Sequence, residues 1–226
     1  MSNIACKPGP LHFTIRPREK VGALAALVRV LDVAIAVAAL IFVLPLMGII
    51  ALAIFLQDGG PIVFSHRRLG RGGKPFFCYK FRSMAVDAEA RLAELLERDP
   101  IAREEWARDH KLRNDPRVTP LGAFLRRSSL DELPQLVNVL QGTMSLVGPR
   151  PIVDAEISRY GSRFRHYCAV KPGITGLWQV SGRNDVSYRT RVALDCLYAR
   201  KSQSPRLYLW IVIVTIPAVL SRKGSY

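Results

Sequence analysis

The chain has 226 residues, 49 % of them apolar, with 33 Lys and Arg against 18 Asp and Glu for a net charge of +15. That much apolar residue excludes a disordered chain, and the basic excess points to anionic partners: nucleic acid, an anionic membrane surface or phosphorylated substrates. Cys6, Cys78, Cys168 and Cys196 form no C-x-x-C pair, His12, His66, His110 and His166 are scattered, and no H-E-x-x-H occurs. Zinc sites therefore have no support, and the cysteines read as reduced cytosolic thiols.

The first 20 residues, crowded with Pro, Arg and Lys, read as a tail without a cleavable signal peptide. A helical stretch from Val21 to Asp32 follows, then 24 residues without a charge, Val33 to Leu56. A membrane span needs roughly 20 apolar residues. Pro45 lies mid-run, where it removes a backbone hydrogen bond and bends a helix. Arg16, Arg18, Lys20 and Arg29 before the run balance Arg67, Arg68, Arg71 and Lys74 after it, so the positive-inside rule prefers neither side. Two geometries fit: a kinked transmembrane helix, or a helix that enters, bends at Pro45 and returns to the same face.

Pro61 to Arg68 and Pro75 to Phe81 predict a β-hairpin around Leu69-Gly-Arg-Gly-Gly-Lys74. This loop is not a Walker A motif, because Arg68 stands where the first glycine belongs and Pro75 follows the lysine. Met84 to Arg98 is rich in helix formers. Thr119-Pro120 predicts a helix start that carries Leu121, Phe124 and Leu125 inward and ends near Arg126 and Arg127.

In Ser128-Ser-Leu-Asp-Glu-Leu-Pro-Gln-Leu-Val-Asn-Val-Leu-Gln-Gly142, Leu133, Leu136, Val137 and Leu140 follow the spacing of a buried helix face. Pro134 fits only a first turn, and Gly142 suits a C-terminal cap. Asp131 and Glu132 are thus expected at a helix N-terminus, where Ser129-x-x-Glu132 also matches a capping box. Such a place suits chemistry as well: N–H groups keep a carboxylate ionised, a carboxylate can attack phosphorus, and two acids can hold Mg²⁺ on a diphosphate. Ser145-Leu-Val-Gly-Pro-Arg-Pro151 and Lys171-Pro-Gly-Ile-Thr-Gly-Leu-Trp-Gln-Val-Ser-Gly-Arg183 read as loops that form a binding surface. Tyr188 to Arg200 is helical. Leu207 to Leu220, 14 apolar residues containing Pro217, is either an interfacial helix with Tyr208 and Trp210 at headgroup depth or a buried helix.

The Pro-broken apolar helix, Tyr79-Lys-Phe-Arg-Ser-Met84, Asn114-Asp-Pro-Arg-Val-Thr119, Leu125-Arg-Arg-Ser-Ser-Leu-Asp-Glu-Leu-Pro-Gln135 with Met144-Ser-Leu-Val-Gly-Pro-Arg-Pro151, and Lys171 to Gln179 occur in this order. Together, from Val21 to the Gly224-Ser-Tyr terminus, they resemble the bacterial sugar transferases, the monotopic polyprenyl-phosphate phosphoglycosyl transferases that begin exopolysaccharide and glycoconjugate assembly. The resemblance implies a mainly α fold with a small β-hairpin, a re-entrant membrane hairpin over 21–57 held in one leaflet, and a catalytic domain over 58–226 with interfacial helices, on the cytoplasmic face of a bacterial inner membrane. It implies transfer of a hexose-1-phosphate from a UDP-sugar to undecaprenyl phosphate, releasing UMP through an aspartyl-phosphosugar, with Mg²⁺. By the same resemblance Asp131 is the nucleophile and Glu132 its acidic partner, both facing the metal, and Arg126, Arg150, Lys80 and Arg82 face phosphate. Many relatives carry Ser-Pro at the helix break. Here it is Leu44-Pro45, so the bend rests on Pro45 alone. The rival readings are a basic membrane-tethered nucleic-acid binder, for which no recognised motif is present, and a noncatalytic scaffold.

Overall fold

In the computed structural model of the chain, the described residues are 22–109, 112, 114–182, 186–201 and 204–220. The tail over 1–20, Arg183, Arg222, Lys223 and the closing Gly224-Ser-Tyr fall outside them.

Apolar residues all around make the first element a helix without a polar face, α1, Gly22–Asp58. Its 37 residues include Pro45, with no loop dividing it into two arms. It is long and apolar enough to cross a membrane, and in the segment around Pro45 Ile41 is 70 %, Phe42 85 % and Leu44 60 % exposed. Apolar side chains this bare belong in lipid, so α1 fits a membrane anchor.

The helix nonetheless docks on the rest of the chain at two places. Ala36, with Val28, Leu31, Ile35, Leu40 and Val43 around it, packs into the main core with Leu136, Val139, Met144, Tyr208 and Ile211. Beyond Pro45, Ile50 and Ile54 pack with Phe81 and Leu125 in a second cluster. Polar contacts pin both regions. Arg29 donates to the carbonyls of Val139 and Leu140, and Asp32, 2 % exposed, accepts from Ser145 Oγ (2.9 Å), Leu146 N (2.8 Å) and Tyr208 Oη (2.8 Å). At the far end Arg82 pairs with Asp58.

The predicted hairpin is present as β1, Val63–Leu69, and β2, Pro75–Phe81, in antiparallel register from Val63↔Phe81 to Leu69↔Pro75. Helices α2, Ala88–Arg98, and α3, Pro100–Asp109, follow. The first starts later than its composition suggests, because Met84 bridges Val118 instead. Helix α4, Pro120–Ser128, starts as predicted, with Thr119 Oγ1 accepting from Gly122 N at 2.9 Å. Leu125 is fully buried, whereas Phe124, expected inward, is half-exposed.

A helix α5, Gln135–Gln141, closes at Gly142 (φ 81°) as expected. The two stretches read as loops instead supply β3, Ser145–Val147, and β4, Gly173–Thr175, a parallel pair. Their glycines permit the contact: a Cβ on Gly173 would lie 2.0 Å from the backbone nitrogen of Gly148. Short helices α6, Ile157–Tyr160, α7, Phe164–Cys168, and α8, Leu177–Val180, lead to α9, Tyr188–Lys201, and α10, Pro205–Leu220. Of the two readings of this segment, an interfacial and a buried helix, each holds for one face: Tyr208 is 1 % exposed and bonded to Asp32, while Trp210 and Ile213 stay exposed on the other.

Candidate active site

The acidic pair does not begin a long helix. After α4 the backbone turns through Ser129, the single non-glycine residue with positive φ among the described residues (59°), into a one-turn 3-10 segment, Leu130–Glu132. Pro134 then precedes α5. Ser129, in the αL region rather than the extended backbone usual for an N-cap, makes no side-chain cap, so the expected capping box is not formed. The αL residue costs about 1 kcal/mol, and such strained residues gather at functional sites. It returns the chain over β2.

There Lys80 meets it. Lys80 Nζ lies 2.6 Å from Glu132 Oε1 and 3.4 Å from Asp131 Oδ2. Asp131 is 6 % exposed. Its burial raises the carboxyl above the ordinary range; Lys80 opposes this and the Glu132 charge adds to it. Burial would raise Glu132 too, but the closer ammonium outweighs it and the carboxyl is held low. Lys80 loses by burial and gains more from its two carboxylates, so its pKa is raised. The expectation that backbone N–H groups keep Asp131 ionised is thus replaced: its counter-charge is a lysine from β2.

Arg126 faces the same group. Its charge acts on Asp131, and its Nε donates to Ser83 Oγ at 2.8 Å. Gly122 makes this fit possible, since a Cβ there would lie 1.9 Å from the Ser83 carbonyl oxygen. Arg150 is exposed, and its charge reaches Lys80 and Glu132. Four of the expected phosphate-facing and acidic positions, Asp131, Glu132, Lys80 and Arg126, therefore converge, with Arg150 at the rim.

Arg82 has another partner. It stands just past the end of β2, donates from its backbone to Ile62, and sends its guanidinium to Asp58 (2.9 Å to Oδ2) and the Ile54 carbonyl. It ties the end of β2 to α1, and only its buried Nε lacks an acceptor.

Asn138 is a site-building residue that sequence reasoning passed over. It is fully buried, accepts from Tyr79 N at 3.0 Å and donates to Phe77 O at 2.7 Å. It completes the edge of β2 and fixes α5 against the strand that carries Lys80. The available signal was a lone amide among Leu136, Val137, Val139 and Leu140. A polar group in such a place needs full hydrogen bonding.

Among the described residues no three His, Cys, Asp or Glu gather as a metal cluster. A site that pairs two adjacent carboxylates with a bridging lysine and outlying arginines suits a ligand bearing phosphate groups, on a protein with one apolar helix fit for a membrane. The model of the family described as "Bacterial sugar transferase" matches residues 24–222. The undecaprenyl-phosphate galactose phosphotransferase of Salmonella typhimurium is 55 % identical over 174 residues, 75 % of this chain and 36 % of that protein. The exopolysaccharide production protein ExoY of Rhizobium meliloti is 52 % identical over 180 residues, covering 79 % of this chain and 78 % of ExoY. The UDP-glucose:undecaprenyl-phosphate glucose-1-phosphate transferase of Escherichia coli is 41 % identical over 187 residues. This chain thus belongs to the bacterial sugar transferase family, and it spans little more than a third of the Salmonella protein (36 %).

Proposed function

We propose that the chain transfers a hexose-1-phosphate from a UDP-sugar to undecaprenyl phosphate, with Asp131 as nucleophile. The observation that carries this reading is the difference between the two acids. Glu132 is committed to Lys80 at 2.6 Å, while Asp131 is buried, poorly compensated and 3.4 Å from the same ammonium. A carboxylate that burial destabilises is a stronger nucleophile than a solvated one.

In the first step an Asp131 carboxylate oxygen attacks the sugar-bearing phosphorus. The bond from that phosphorus to the bridging oxygen breaks, and UMP leaves with the electron pair. In the second step the polyprenyl phosphate oxygen attacks the same phosphorus and the aspartyl–phosphorus bond breaks. Asp131 is regenerated and a polyprenyl diphosphate sugar is formed. Lys80, Arg126 and Arg150 balance charge on the phosphoryl oxygens. Mg²⁺ fits at Asp131 and Glu132, since that ion takes one or two carboxylates and fills its shell with water and substrate phosphates; bound there it would neutralise a diphosphate.

Two docking regions on one helix, either side of Pro45 and both on the same globular body, support a re-entrant anchor in one leaflet. Arg29 and Asp58, at opposite ends of the apolar run, both bond to that body. The active site then lies at the cytoplasmic surface of the membrane, where a soluble donor meets a lipid acceptor. UDP-galactose is the first donor to test, because relatives named for galactose transfer stand at 42–55 % identity and those named for glucose transfer at 39–41 %. Incubated with UDP-galactose and Mg²⁺ without acceptor, the protein is expected to gain the mass of a hexose phosphate on the peptide holding Asp131. An adduct elsewhere, or turnover in Asp131→Asn, contradicts the assignment.

A further inference from the structure

At the other end of α5 from the acidic pair, where α1 packs on α5, two cations meet beside Gly142, and the charge of a third, Arg71 on the hairpin tip, reaches one of them. A Cβ built on Gly142 would lie 3.4 Å from Arg29 Nη2 and 3.5 Å from Lys171 Nζ. Two cationic nitrogens therefore flank one open point above a glycine. Arg29 also donates to the last carbonyls of α5, which masks the negative end of that helix. Lys171 is half-buried, and among the described residues its ammonium makes no hydrogen bond or ion pair. Burial lowers its pKa, and the charges of Arg29 and Arg71 lower it further. The one carboxylate that opposes them is Asp32, whose Oδ1 already serves Ser145, Leu146 and Tyr208.

A half-buried cation without a counter-ion is costly, and the ordinary explanation, capping of α5, accounts for Arg29 but not for Lys171 or Arg71. The neighbouring surface of α1 indicates what supplies the missing charge. Leu24, Leu27 and Val30 are exposed there, apolar and on the membrane helix. Basic groups beside lipid-facing residues lie at headgroup depth, where each is worth about 1 kcal/mol toward an anionic lipid.

We propose that Lys171 and Arg29 beside Gly142, with Arg71 adding its charge, hold the phosphate of an anionic phospholipid that is not a substrate, at a site separate from Asp131. The inference rests on α1 lying in the membrane and not on the transfer reaction, so a binding readout tests it whether or not turnover is seen.

Delipidated protein in neutral detergent is titrated with phosphatidylglycerol or phosphatidylcholine, and retained lipid is measured by native mass spectrometry beside the melting temperature. The chain is expected to retain phosphatidylglycerol selectively and to melt higher with it. Lys171→Gln is expected to weaken that retention about fivefold, and Lys171→Arg to restore it. Arg71→Gln, at an exposed position, is expected to weaken it similarly, which keeps the test valid if Lys171→Gln misfolds. Equal retention of the two lipids, or unaltered retention in both neutral variants, overturns the proposal. So does displacement of the lipid by inorganic phosphate at matching concentration, which assigns the site to a soluble anion.

Discussion

Lys80 Nζ is 2.6 Å from Glu132 and 3.4 Å from Asp131, and that difference decides what each carboxylate does to the fold. Glu132 has a lowered pKa in the folded chain. Its contribution to stability is therefore present above the unfolded value of about 4.3 and is lost as pH falls through the folded value. Glu132→Gln is expected to melt lower than the wild type at pH 7, with the gap closing below about pH 4. Asp131 has a raised pKa, so its stabilising contribution exists only while it is protonated and is lost as pH rises through the folded value. Asp131→Asn cannot ionise. It should melt at or above the wild-type temperature at pH 7 while losing turnover by at least about a thousandfold. Thermal melts of both variants in one detergent check the opposite signs, and a clearly lower melt for Asp131→Asn contradicts them. The pair itself was legible from Leu-Asp-Glu-Leu-Pro. Its electrostatics were not, because Lys80 stands 51 residues before Asp131 and only the fold brings the two together.

The placement of that lysine is a matter of elements. β2 is held on one side by the register with β1 and on the other by Asn138, which bonds its backbone as a neighbouring strand would. Asn138→Ala leaves Tyr79 N–H and Phe77 C=O without these partners. It is expected to cost about 1–3 kcal/mol per unpaired group and to lower kcat by loosening Lys80 against Glu132. Denaturation in parallel with steady-state kinetics checks both effects. If stability falls and kcat holds, Asn138 is structural only. The hairpin, the Thr119 cap, the Gly142 stop and the longer helices α1, α2, α4, α5, α9 and α10 were readable from local pattern, because periodicity and caps act within a few residues, whereas α3 and the short α6, α7 and α8 were not. The β3–β4 pair was not. Each strand has three residues, and its strand character comes from pairing across nearly thirty positions, Ser145 with Gly173. The contact made by Arg82 is hidden for a related reason: β2 ends at Phe81, and the next side chain reaches Asp58 in α1, 24 positions back.

For the molecule as a whole, the proposed site of the chemistry follows from how α1 sits. Arg29 and Asp32 at one end, and Asp58 at the other, secure a helix whose middle is bare apolar surface. A helix crossing the membrane once would put its ends on opposite sides. A re-entrant helix puts both on one side. With the four native cysteines replaced by alanine, single cysteines at Ala25 and Gln57 are expected to react with a membrane-impermeant maleimide from the same face of sealed vesicles. Labelling from opposite faces contradicts the one-leaflet anchor. Composition revealed the apolar run and its proline. The contacts at Arg29, Tyr208 and Arg82 that support the proposed return to one face are carried by no local pattern.

The central claim is that phosphorus, not the anomeric carbon, is attacked, and the nucleotide released reports it most directly. Purified protein in nanodiscs would receive Mg²⁺, undecaprenyl phosphate and UDP-galactose, and the nucleotide product would be separated and identified. The account predicts UMP, in step with polyprenyl diphosphate sugar and absent in Asp131→Asn. Release of UDP would mean that the sugar alone is transferred, and the aspartyl-phosphosugar mechanism would be wrong.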